Sequence, residues 1–214
     1  MTLALTGIGI STSRTVAIGA VALLQRGPVR VNPRTVEASE VSVEVHRLRS
    51  AVARAGRQLL ETRERIPASI PQDIADFIDA HLMMLEDRTL FDAVEELIRG
   101  DGYAAEWALQ QRRDTLVQVF EAMEDPYLRT RRDDLDHVVT RVQKILLEEE
   151  EEAPADLQGR VILAVDLTPA DTILMRERGV AGFVTEFGGP MSHTAILARS
   201  LGIPAVVGVR RATE

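Results

Sequence analysis

The residues that could do chemistry are concentrated in one stretch, Gly188-Gly189-Pro190-Met191-Ser192-His193-Thr194-Ala195-Ile196-Leu197-Ala198-Arg199. Neutral imidazole is a nucleophile, and a phosphoryl group carried on it needs donors for its oxygens. The neighbouring residue types are suited to supply them. Two glycines let the backbone turn without a Cβ penalty. Pro190 suits the opening of a helix, and Ser192 or Thr194 can bond free N–H groups of its first turn. Ile196, Leu197 and Leu201 give that helix an apolar stripe. His193 is therefore expected at a helix N-terminus, where unpaired amides and the positive end of the dipole favour an anion. Spacing alone leaves a second reading open: a capped turn with an incidental histidine.

The elements that must position His193 alternate in type. Arg160 to Val165 and Val180 to Thr185 are short apolar runs that predict buried strands, and Ala205 to Val209 predicts a third. Between the first two, Thr168-Pro169 opens a short helix reaching Arg178, with Thr168 as cap and Asp171 near its positive end. Strands alternating with helices make an α/β layer. Leu3 to Ile10 and Val16 to Leu24 read as two more strands joined by the polar turn Ser11-Thr12-Ser13-Arg14, and both are expected to enter that layer.

The centre of the chain is different. Helical spacing runs from Ser39 to about Ile66, with Val41, Val45, Leu48, Val52, Ala55, Leu59 and Leu60 on one face. Pro67 and Pro71 end it. Further helices are expected over Gln72 to Glu86, Leu90 to Ile98, Ala104 to Met123 and Pro126 to Leu147. The fold class is therefore α/β plus all-α: a discontinuous α/β domain (residues 1–33 and 153–214) with an inserted helical bundle (residues 34–152). Glu148 to Glu152 is an acidic run suited to a solvated helix end and linker.

Composition narrows the function. A net charge of −8 argues against nucleic acid as the main partner and fits a basic protein partner. The absence of cysteine excludes disulfides, thiol chemistry and Cys-type zinc sites. No His/Asp/Glu spacing makes a metal site, no apolar run approaches membrane-spanning length, and no signal peptide is legible, so a cytoplasmic protein is the default expectation. His46 and His137 fall within helices and read as surface or packing residues, and Trp107 reads as core.

The stretch around His193 resembles the phosphohistidine motif of the phosphoenolpyruvate-utilising enzymes, among them enzyme I of the bacterial sugar phosphotransferase system. Gly188, Gly189, Ser192, His193, Thr194 and Arg199 match, and Leu201 to Gly208 continues the likeness. The family usually has threonine where this chain has Met191, and Pro-Gly where it has Arg14-Thr15. The resemblance covers essentially the whole chain and implies the same two-part layout, with a swivelling phosphohistidine domain. It implies that His193 is the phosphorylated nucleophile, that Gly188, Gly189, Ser192 and Thr194 bind phosphate, and that the hydroxyl of Thr172 contacts and orients His193.

It further implies that the bundle docks the phosphocarrier protein HPr through His81, Met83, Met84, Asp87 and Leu90, with Tyr127 and Arg131 as a second segment. Read without the resemblance, Met83 and Met84 are ordinary core and Tyr127 is a half-buried residue at a helix start. The family's α/β domain continues beyond the equivalent of Glu214, then meets a barrel that binds phosphoenolpyruvate and magnesium and forms a homodimer. The expectation is thus of an N-terminal part with no cofactor of its own. A binding module in which the bundle docks a carrier and His193 is idle is the alternative from another class.

Overall fold

The structure, a computed structural model, describes residues 5–10, 16–24, 29–66, 72–123, 126–148, 156–190 and 192–213; the side chains at 73, 74, 126–131 and 193 lie outside the described set. The chain divides into two compact units, residues 1–27, 65–78 and 151–214 in one and 28–64 with 79–150 in the other. Residues 65–78, expected within the helical block, are grouped with the first.

The first unit is built on a five-stranded sheet. Its strands are β1 (Ile8–Ile10), β2 (Val21–Leu24), β3 (Val161–Ala164), β4 (Gly182–Thr185) and β5 (Ala205–Val207), in the spatial order β1-β5-β4-β3-β2. β2 to β5 are parallel, and β1 is antiparallel to β5. Parallel neighbours need crossovers, here α6 (Pro169–Glu177) and α7 (His193–Leu201). These two helices pack on each other, and α7 also packs on β1 and β5, so both cover one face. Register accounts for the core: Ile10, Ala205, Phe183, Ile162 and Ala22 fall in one row across the sheet and are all buried. On the opposite face Val21 and Leu23 stay exposed.

Both N-terminal strands join the sheet, as the pattern predicts, but they are not a hairpin. They lie at opposite edges, because β1 pairs with β5 and β2 with β3. Long-range partners decided what a short polar turn had suggested; that turn lies outside the described residues.

The second unit contains α1 (Val41–Glu64), α3 (Arg88–Asp101), α4 (Ala105–Glu121) and α5 (Pro126–Leu146), with the C-terminal half of α2 (Gln72–Glu86). Each helix lies within a few residues of its predicted span. Its core is lined by Leu48, Ala55, Leu59, Val94, Ile98, Leu109 and Val142. Trp107, expected as core, is half-buried.

One polar cluster ties this apolar core together. Ala104 begins α4 without a side-chain cap. The missing acceptor comes from α1, where buried Glu44 takes the Ala105 N–H at 2.8 Å. Arg47 approaches Glu44 at 2.7 Å and Glu106 at 3.4 Å, and also donates to the Leu146 carbonyl at the end of α5 at 2.9 Å. Arg34 reaches both carboxylates. Burial pushes the Glu44 carboxyl up, but the Ala105 amide with the Arg47 and Arg34 guanidiniums outweighs it and holds the group below its ordinary value.

Removing Glu44 would strand an amide and a guanidinium. Glu44→Ala is expected to cost about 3 kcal/mol in chemical denaturation. Because its folded-state pKa lies below the unfolded one, the carboxylate's contribution is complete above the unfolded value of about 4.3 and is lost as pH falls through the folded value. Melts of wild type and Glu44→Gln between neutral and acid pH should therefore converge towards acid.

Candidate functional site

The site begins where β4 ends. Glu186 N donates to the Ala164 carbonyl and Phe187 N to the Val165 carbonyl, both at 3.1 Å, so the chain first follows the exit of β3. Buried Thr185 donates its hydroxyl to the Phe187 carbonyl at 2.7 Å and starts the turn. Gly188 then takes φ +107°, where a Cβ would also stand 3.0 Å from the Ser192 hydroxyl. Only glycine meets both demands. Gly189 has no such constraint, since a Cβ there would meet nothing within 4 Å. Its carbonyl accepts from the Ser192 amide at 3.0 Å and the Ser192 hydroxyl at 2.9 Å.

Ser192 is the cap of α7, and its hydroxyl oxygen accepts from the Ala195 amide at 3.3 Å. The capping hydroxyl that the motif usually places one residue earlier is thus supplied by Ser192; Met191 lies outside the described residues. Arg199, one turn and a half along α7, donates to the Pro190 carbonyl at 3.3 Å and holds the turn from the other side.

His193 is the first residue of α7. The leading N–H groups of a helix have no intrahelical acceptor. Among the described hydrogen bonds, Ser192 N goes to Gly189 and Ala195 N to Ser192; the leading amides between them are those of His193 and Thr194. These are the donors that an oxyanion bound at this helix end would meet. The His193 ring lies outside the described residues.

The hydroxyls of the two threonines expected to serve the site both donate to backbone carbonyls. Thr194 is buried and donates its hydroxyl to the Leu167 carbonyl at 3.0 Å. That proton is unavailable to a phosphate, so Thr194 can contribute through its backbone amide only. Leu167 immediately precedes the α6 cap, Thr168, which forms a capping box with Asp171 as the sequence predicts. The bond therefore sets the N-termini of α6 and α7 side by side, with two positive dipole ends at the carboxyl edge of the sheet. Thr172 is fully buried in the first turns of α6 and donates to the Thr168 carbonyl at 3.2 Å. Its oxygen keeps acceptor capacity only.

In the helical unit the expected docking residues separate. Met83 is 72% exposed, Met84 is half-buried, and Asp87 is exposed while capping α3 through Thr89. The hydroxyl and amide of Thr89 hold the Asp87 carboxyl below its ordinary range. His81 and Leu90 are corrections. His81 is 5% exposed, with Nε2 3.5 Å from Asp134 and its ring edge-on to His137. Leu90 is 6% exposed in the bundle core. Neither presents a surface, because helical spacing turns both inward. Tyr127 and Arg131 belong to α5, and their side chains lie outside the described residues.

Sequence reasoning missed Thr185 and Glu186. Both lie within three residues of Gly188, but their partners are set by the fold rather than by spacing. Among the described residues no helix is long and apolar enough to cross a membrane.

A family model described as the N-terminal part of PEP-utilising enzymes matches residues 8–131. The chain belongs to the PEP-utilising enzymes. A second model, their mobile domain, matches residues 156–214, which include His193. Among curated relatives, the phosphoenolpyruvate-protein phosphotransferase of Cupriavidus necator is 40% identical over 96% of this chain, and that of Bacillus subtilis is 39% identical over 96%. The chain spans only 37% and 36% of their lengths. Among solved structures, an NMR structure of Enzyme I superposes with a TM-score of 0.77 at 33% identity, covering 99% of this chain and 85% of that one. An N-terminal domain of Enzyme 1 - Nitrogen, at TM-score 0.68 and 23% identity over 96% of this chain and 83% of that one, shares the fold.

The two motif glycines should separate on substitution. Gly188→Ala forces a Cβ into a left-handed conformation against Ser192 and is expected to cost about 1–3 kcal/mol, whereas Gly189→Ala should stay within about 0.5 kcal/mol. Thermal melts of the two variants measure the difference.

Proposed function

We propose that this chain carries a phosphoryl group on His193 and passes it between phosphoenolpyruvate and a histidine of the carrier protein HPr, the first step of a phosphotransferase system. The observation that carries this reading is the place of His193 at the head of α7, among the leading amides of a helix that opens on the Ser192 cap. The relatives support it, since they are phosphoenolpyruvate-protein phosphotransferases.

The chemistry is two in-line displacements at phosphorus. A ring nitrogen of His193 attacks the phosphorus of phosphoenolpyruvate. The N–P bond forms as the P–O bond to enolpyruvate breaks, and the enolate leaves to take a proton as pyruvate. A ring nitrogen of the carrier histidine then attacks the same phosphorus, and the His193 N–P bond breaks. The helix amides hold the oxygens in both steps without reorganising. Thr172 fits a precise part in this scheme. Its proton is spent on Thr168, so it would accept an imidazole N–H, fixing the tautomer and leaving the other nitrogen bare to attack. Phosphoenolpyruvate, with its magnesium, and the homodimer contact are assigned to length of the relatives that this chain does not span. The setting of such chemistry is cytoplasmic.

Mixing the chain with phosphorylated HPr should add one acid-labile phosphoryl group at His193, read by mass spectrometry of its peptides. His193→Ala should take none and melt near wild type, because a residue at a helix start contributes little to a core. An unlabelled wild type would leave the chain as a docking module with an idle histidine.

Carrier docking is assigned to the exposed end of α2. Met83 offers an apolar contact edged by Glu86 and Asp87, suited to a partner with a basic rim. Met83→Asp should weaken HPr binding by about 2 kcal/mol in calorimetry with an unchanged melt. Asp87→Asn keeps a capping oxygen and should cost less than about 1 kcal/mol, chiefly in association rate. Full binding by Met83→Asp would remove this face from the docking surface.

A further inference from the structure

We propose that Glu186 is a positioning residue, which fixes the Gly188–Gly189 turn and the head of α7 by clamping the turn after β5 onto the connection between β4 and α7. The kinetic consequence rests on reading His193 as the phosphoryl acceptor; the clamp itself rests on hydrogen bonds within one compact unit.

A single carboxylate oxygen, Glu186 Oε1, accepts both the Thr213 amide at 2.8 Å and the Thr213 hydroxyl. Bonds to an ionised acceptor are the strong ones. The Thr213 hydroxyl, followed by its amide, holds the Glu186 carboxyl below the usual carboxylate range. Thr213 is 27 residues away along the chain and reaches Glu186 only because the segment after β5 doubles back. Arg211 takes φ +61° in that turn, a conformation unfavourable to a residue with a Cβ, and Ala212 is buried beneath it. Strain of this kind persists where the surroundings over-determine it.

The other end of the same turn is also fastened to the site. Val209 N donates to the Thr185 carbonyl at 3.0 Å, and a Cβ on Gly208 would stand 3.3 Å from the Gly188 carbonyl. The backbone of Glu186 is meanwhile held to Ala164 at the exit of β3. Glu186, two residues before Gly188, thus joins three strand exits. Without its side chain, the turn would be anchored on the β3 side and at Val209 but free between them. Loss of a fraction of an ångström at the head of α7 would misplace His193 against an incoming phosphorus.

The test uses potassium phosphoramidate, a donor that needs no partner protein: its P–N bond breaks, ammonia leaves, and the new N–P bond forms on imidazole. The chain has four histidines, so peptide mapping reads His193 alone. Glu186→Ala and Thr213→Val should each slow labelling of His193 about tenfold, and the double variant no further. Amides 186–189 should exchange faster with solvent in all three, at an unchanged melting midpoint. Glu186→Gln and Thr213→Ser keep an acceptor and a donor, and should restore most of the rate. The proposal is overturned if Glu186→Ala labels at the wild-type rate with unchanged exchange, or if its slowing merely tracks a lowered melting midpoint. A wild type that takes no label at His193 sinks the phosphoryl reading, while the exchange data still decide the clamp.

Discussion

The buried hydrogen bond from the Thr194 hydroxyl to the Leu167 carbonyl carries more of the site than its size suggests. It joins the second residue of one helix to the residue just before the cap of another. A buried carbonyl left without a donor is costly, so the bond fixes where α7 starts relative to α6. Everything proposed for His193 depends on that register. The capping by Ser192, the left-handed Gly188 and the paired dipole ends at the sheet edge all follow from a chain that must deliver Thr194 to Leu167. The N-terminus of α6 is closed by its own capping box, so its contribution beside α7 is the field of its dipole rather than free donors.

The same logic operates in the helical unit with charges in place of hydroxyls. Glu44 of α1 replaces the side-chain cap that α4 lacks, and Arg47 carries the network on to the end of α5. Burying such charges is tolerable because each carboxylate faces a guanidinium or an amide. At α2 the inward-facing His81 lies 3.5 Å from Asp134 of α5. Met83, two residues along the same helix, is exposed while His81 is turned inward towards that acid, because helical spacing places them on different faces.

Within the site loop, the backbone of β4's exit is held by β3 on one side and by the segment after β5 on the other. A rigid turn built from three strand exits suits the proposed role of His193 in two in-line displacements, because each tolerates little error in position. Glycine enters this scheme at Gly188 because the backbone there has no alternative, whereas Gly189 contributes a carbonyl that any residue possesses.

The sequence by itself determined the elements and where the candidate site residues lie along them. Among the described residues, apolar periodicity located the helices to within a few residues, and placed β1 and β2 at the ends of longer apolar runs, because short-range spacing decides which face of a segment is buried. The glycine–serine–histidine run announced a capped helix with an imidazole at its head, since caps and turns are local chemistry. Tertiary structure decided what depends on distant partners. It sent β1 and β2 to opposite edges, where pairing with β5 and β3 overrode the turn between them. It spent the Thr194 hydroxyl on Leu167 rather than on a ligand, buried His81 and Leu90, and gave Glu186 its partner 27 residues away. A periodic pattern specifies a face but not its neighbour, and a hydroxyl or carboxylate has no function until the fold supplies the atom it must bond.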